Sequence, residues 1–134
     1  MKDAYSNVTV RETLAIATRT ASANGTGVDR YLNGAGFQDC MFIVHTGTIT
    51  DGTHAIDVQE SDDNTTFTSA ASSDLQGTEP SIGATDDNKM YVVGYKGTKR
   101  YVRLAVTASG TTSGGTYGAS VLLANPRVAP VVHP

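Results

Sequence analysis

Met41-Phe42-Ile43-Val44-His45, Thr50-Asp51-Gly52 and His54-Ala55-Ile56-Asp57-Val58-Gln59 form the stretch from which the fold is read. Two runs with apolar residues at alternate positions flank a turn signal, the pattern of half-buried strands. A two-residue Asp51-Gly52 turn would set Phe42 and Val44 opposite Ser61 and Gln59. A three-residue Thr50–Gly52 loop, with Gly52 left-handed, instead puts Phe42 and Val44 on one face with Ile56 and Val58. A one-residue slip turns every side chain to the other face, so burial selects the longer loop and predicts a β-hairpin. That register also places His45 opposite Asp57 on the outward face, where the two read as an ordinary cross-strand pair. No serine or cysteine nucleophile is set beside them.

Alternation and turn signals extend along the chain. They predict strands near 7–10, 16–23, 37–47, 53–60, 65–69, 89–95, 100–108 and 116–124. Eight short strands in 134 residues predict an all-β fold: a single-domain, jelly-roll-like antiparallel β-sandwich over residues 16–124 with extended terminal arms. Phe67 is expected to plug the core, and residues 70–88, poor in apolar side chains, to form a long loop. Strand 37–47 carries Met41 and Ile43 on its second face, and strand 89–95 is apolar or aromatic on both. Two-faced strands imply that an oligomer partner or a larger assembly covers the outer side. Residues 1–15 read as an N-terminal arm or edge segment, and the Pro-rich segment 125–134 as a C-terminal arm that either docks on a neighbour or frays. Val128, Val131 and Val132 on that arm, with Met41 and Ile43, are the expected contacts to a neighbour.

Composition narrows the classes. Thr is the commonest residue, Gly reaches 14 and charged residues only 17%, which excludes a helical bundle. A net charge of -3 and a pI of about 5.4 argue against general nucleic-acid binding. Lys96, Lys99, Arg100 and Arg103, interleaved with Tyr95 and Tyr101, are the one basic concentration. They read as a solvated hairpin end or a patch for an acidic protein surface. No apolar run is long enough to cross a bilayer, and residues 1–14 offer no signal-like stretch, although a mature chain could have shed one. Cys40 is the sole cysteine, so internal disulfides and cysteine–zinc clusters are excluded, and it reads as a small buried side chain. Glu60-Ser61-Asp62-Asp63-Asn64 and Asp86-Asp87-Asn88 suit tight turns better than Ca²⁺ loops. His54 falls on the face opposite His45, away from any two-histidine metal site. With no phosphate loop, H-E-x-x-H or nucleophile elbow, no catalytic residue, cofactor or metal is expected.

Three stretches add a resemblance. Ala23-Asn24-Gly25-Thr26-Gly27-Val28-Asp29 is the first; Thr48-Ile49-Thr50-Asp51-Gly52-Thr53-His54, continuing from Val58-Gln59-Glu60 to Thr66-Phe67, is the second. The third is Val93-Gly94-Tyr95-Lys96-Gly97-Thr98-Lys99-Arg100-Tyr101-Val102-Arg103-Leu104. In order and spacing they resemble the small head decoration, or cement, proteins of tailed bacteriophages, over roughly residues 20–125. The resemblance implies a non-enzymatic virion protein on the outer surface of the capsid, assembled in the bacterial cytoplasm. It would bind the lattice of the phage major capsid protein, often as a homo-oligomeric dimer or trimer, with no nucleic-acid or membrane partner. No family site residues carry over. The alternative is a β-sandwich module of a phage tail or fibre that binds carbohydrate or a receptor. With Trp 0 and aromatics at 7%, few residues are available for a sugar platform.

Overall fold

The computed structural model describes residues 2–134. Among them are eleven strands: β1 (Thr9–Arg19), β2 (Ala23–Asn24), β3 (Val28–Asp29), β4 (Phe37–Ile49), β5 (Thr53–Ser61), β6 (Thr68–Ser69), β7 (Leu75–Gln76), β8 (Ser81–Ile82), β9 (Met90–Tyr95), β10 (Tyr101–Ser109) and β11 (Gly115–Pro126). Among the described residues, helical structure is confined to 3-10 turns at Leu32–Gly34 and Ser72–Asp74. The strands form an antiparallel sandwich. One sheet has the order β1-β11-β4-β9-β7, and the other β2-β10-β5-β6, with β3 also on β10 and β8 on β5.

Most of the sandwich is one two-stranded ribbon folded over. β4 pairs with β11, setting Phe42 against Val121, and β5 pairs with β10, setting Val58 against Leu104. Residues 37–61 and 101–126 thus run side by side, and both cross from one sheet to the other at the same corner. The three-residue Thr50–Gly52 loop is present, with Gly52 at φ +85° as expected. It does not close a hairpin, however, because β4 and β5 lie in different sheets. Phe42, Val44, Ile56 and Val58 are all buried in the common core, two from each sheet. Burial is satisfied equally by cross-strand neighbours and by residues facing across a sandwich, which is why it misassigned the pairing.

Local chemistry holds the corner. The Asp51 carboxylate accepts from the amides of Thr112 (2.9 Å), Ser113 (3.0 Å) and Gly114 (2.8 Å), tying the two crossing segments together. Beside it, fully buried His54 of β5 reaches Tyr117 of β11 in the opposite sheet, with Nδ1 2.9 Å from the phenol oxygen. The Asp51 carbonyl lies 3.2 Å from His54 Nε2 and can only accept. In the neutral ring Nε2 therefore carries the proton and the Tyr117 hydroxyl donates to Nδ1.

Three other expectations need correction. The strands expected at 7–10 and 16–23 overlap one continuous edge strand, β1 over Thr9–Arg19, so a boundary at residue 15 cuts through it, and Ala23 already belongs to β2. β1 is bulged after Glu12 and again after Leu14, which lets Thr13 and Leu14 both point inward. Thr13 then stitches the edge to the second sheet, its Oγ1 donating to Thr26 O at 2.9 Å and accepting from Leu104 N at 3.1 Å. A Cβ on Gly25 would lie 2.5 Å from the carbonyls of Leu104 and Thr13, so only glycine fits there. Segment 70–88 contributes β7 and β8, because Ile82 is fully buried in the core. Phe67 is only half-buried and lies under the Arg103 guanidinium, 4.0 Å from its ring centroid, rather than in the core.

Tyr117→Phe should leave the His54 Nδ1 without a donor and cost about 1–3 kcal/mol, read as a lower denaturation midpoint with an unchanged slope. The corner amides hold the Asp51 carboxyl below its usual range. Its contribution to stability is therefore complete above the ordinary carboxylate pKa of about 3.9 and is lost as pH falls toward the lowered folded value. Melting curves across that range should show Asp51→Asn less stable than the parent at neutral pH and less sensitive to acid.

Candidate binding surface

The outward side of the β1-β11-β4-β9 sheet is apolar in the middle. Register aligns Val10, Leu122 and Met41 in one row, Glu12, Ser120, Ile43 and Val92 in the next, and Gly118, His45 and Met90 in a third. Met41 and Ile43 are half-buried, whereas Val92 is 56% and Met90 62% exposed. Ile16, 75% exposed, lies over Gly118, where a Cβ would come within 2.6 Å of its Cγ1. The missing side chain at Gly118 leaves a shallow hollow of about 260 Å³ among Ile16, Ile43, His45 and Met90. The sequence identified Met41 and Ile43. It missed Ile16 and Met90, because only the register across three strands brings them together.

The C-terminal arm behaves differently from the expectation. It folds back on residues 5–11 of its own chain: Val131 N donates to Ser6 O at 3.0 Å, and Val132 O accepts from Thr9 Oγ1 and Arg11 Nη2, each at 3.0 Å. His133 Nε2 lies 2.6 Å from Tyr5 O, and the two rings are 4.2 Å apart. Val131 is 8% exposed and joins the chain's own core, so it is not available to a neighbour. Proline removes donors at 126 and 130, and the arm is held outside a ladder: Arg127 N and Val128 N donate to Ala35 O, while Val131 N and Val132 O pair with the N-terminal segment. Val128 and Val132 remain exposed.

The candidate chemical groups disperse. His45 lies on the first sheet between Gly118 and Met90, while Asp57 is on the second, accepting from Gln59 Nε2 at 3.0 Å and Ser69 Oγ at 2.7 Å. The pair expected between them does not form. Asp63 accepts from Ser61 Oγ and from the Thr65 and Thr66 amides, each at 2.9 Å, which uses its carboxylate as a turn former. Glu79, which the sequence did not single out, accepts from Val58 N at 2.6 Å. Burial first, and then the charge of Asp57, push its carboxyl above the usual range. Cys40 is buried, and desolvation pushes its thiol up to about 12.

Two of the four cations of the basic concentration meet a carboxylate within the chain, and a third meets an amide. Arg100 makes two bonds of 2.9 Å to Asp29, Lys99 Nζ lies 2.7 Å from Asp62, and Arg103 donates to Gln59 Oε1 at 2.8 Å. Two cations that the sequence did not link to it, Arg30 and Arg127, stand beside it around one cavity.

No family model matches this sequence, and no curated protein does. Among solved structures, the crystal structure of PBSX exported protein XepA is similar in fold, with a TM-score of 0.59 at 15% identity over 93% of this chain. This chain matches 40% of the XepA chain.

Val131→Ala should lower stability by about 1–2 kcal/mol through lost burial. Removal of residues 126–134 should likewise lower the melting temperature, because the segment covers part of β1.

Proposed function

We propose that this protein decorates and cements a phage head, binding the outer surface of the major capsid protein lattice as a dimer or trimer. The observation that carries the reading is the apolar outward face centred on Ile43, Val92 and Met90, which has no covering element among the described residues. The three stretches resembling decoration proteins support it, and the likeness in fold to the phage PBSX protein XepA accords with a phage setting. A rigid sandwich with one sticky face suits a shell. Each copy adds little alone, but a protein that binds only the assembled lattice stabilises it by mass action, and bridging of neighbouring subunits multiplies the effect. Each exposed valine buried on such a surface would contribute up to about 1.5 kcal/mol before ordering costs.

A carbohydrate-binding reading finds less support. The exposed tyrosines do not form a shared platform: Tyr5 stacks on His133, and Tyr31 lies beneath Arg100.

Co-sedimentation with undecorated, expanded heads tests the proposal. The full chain should be retained, and Val92→Asp, which places a carboxylate on an exposed position, should weaken retention by more than about tenfold without lowering the melting temperature. Failure of the parent protein to bind, or equal retention of Val92→Asp, would count against this face as a capsid contact.

A further inference from the structure

We propose that Asn33 is a site of spontaneous chemical modification, at which the backbone nitrogen of Gly34 attacks the side-chain amide and leaves aspartate or isoaspartate. The chain has two Asn-Gly steps, Asn24-Gly25 and Asn33-Gly34. Glycine brings no Cβ to hinder the attack and moves freely, so both steps are reactive in an extended chain. The fold separates them. Gly25 is buried, and its N–H donates to Leu104 O of β10 at 2.7 Å. The next amide, Thr26 N, donates to Thr13 O of β1 at 2.6 Å. Held between the two sheets, the Gly25 nitrogen turns onto the Asn24 side chain only if β1 parts from β10.

Asn33-Gly34 stands at the tip of a loop whose base is closed by Phe37 N donating to Arg30 O at 2.9 Å. Both residues are exposed, and nothing lies within 4 Å of where a Cβ on Gly34 would stand. Gly34 N donates to Tyr31 O at 2.9 Å, which closes one short 3-10 turn. Asn33 is left-handed at φ +52° and Gly34 at φ +73°, a conformation that costs the side-chain-bearing residue and favours release of the turn. Isolated exposed turns open at the low end of a fold's stability range. Once the turn opens, Gly34 N loses its proton and bonds to Asn33 Cγ. The bond from Cγ to the amide nitrogen breaks, and ammonia leaves with a proton returned by water. Water then opens the resulting succinimide at either carbonyl, giving aspartate or isoaspartate; no oxidant or reductant is consumed. A carboxylate replaces a neutral amide in a chain of net charge -3. The isoaspartate form also lengthens the loop whose Ala35 O anchors Arg127 N and Val128 N of the C-terminal arm. None of this chemistry depends on the capsid-binding face.

The test incubates the full chain in mildly alkaline buffer, folded and in guanidinium chloride, and follows each Asn-Gly step by peptide mapping and fragment-ion mass spectrometry. In the folded chain Asn33 should convert at least about tenfold faster than Asn24, and in denaturant the two rates should agree within about threefold. Anion-exchange chromatography of the folded protein should show an acidic form growing in at the Asn33 rate. Asn33→Gln, which would have to close a six-membered ring, should suppress that form without moving the melting temperature. Should that variant fold poorly, the comparison of the two steps in the parent chain still decides. An unconverted Asn33 in the folded chain, equal rates at the two steps, or a tenfold preference that persists in denaturant would overturn the proposal.

Discussion

Between Ile49 and Thr53 the chain leaves one sheet and enters the other, and beside it the 110–114 segment makes the return crossing. The Asp51 carboxylate, accepting from three successive amides of that segment, makes the two crossings a single corner. Both halves of the folded ribbon inherit their relative placement from it. Because the corner fixes where β4 ends and β5 begins, Phe42 and Val44 arrive above Ile56 and Val58, and His54 arrives within reach of Tyr117. The polar pair sits where the sandwich closes, and each partner satisfies the other away from water. A fully paired polar contact at such a position specifies one arrangement of the sheets, which an all-apolar corner would leave freer to slide.

The opposite end of the ribbon is built on other terms. There β4 and β10 begin and β5, β9 and β11 finish, so that the connecting segments gather. Arg30 enters this gathering and spends its donors on the loop carbonyls of Gly97 and Lys99. A guanidinium serves here as a hub for loops whose own amides and carbonyls do not form a ladder. The opening left between them follows from that construction, whereas the apolar outward face follows from the run of β4 between its two partners.

Strands, turns and the sandwich class were legible because alternation and glycine-rich turns are local properties, written within about ten residues of where they act. Pairing was not legible. β4 takes β11 as its partner across some eighty residues of sequence, and a short loop of hairpin length concealed a change of sheet. The same limit governs the surface residues. Met41 and Ile43 could be read from one strand, but Ile16 becomes their neighbour only through the bulges of β1 and the absent side chain at Gly118. Arg30 carries no local signal of its burial, which depends on contacts nearly seventy residues away. Val131 reads as a free apolar anchor in the sequence because nothing local reveals that Ser6 offers its amide an acceptor.

Cys40 gives the fold an internal clock. It is the only thiol, placed on the central strand between Leu123 and Tyr95, and burial keeps it protonated at any ordinary pH. Thiolate is the reactive form, so an alkylating reagent in solution meets an unreactive sulfur as long as β4 stays packed. Labelling then proceeds only through moments when the sheet parts, and its rate counts those moments. The molecule thus carries, with no added probe, a reporter of how often its own centre opens.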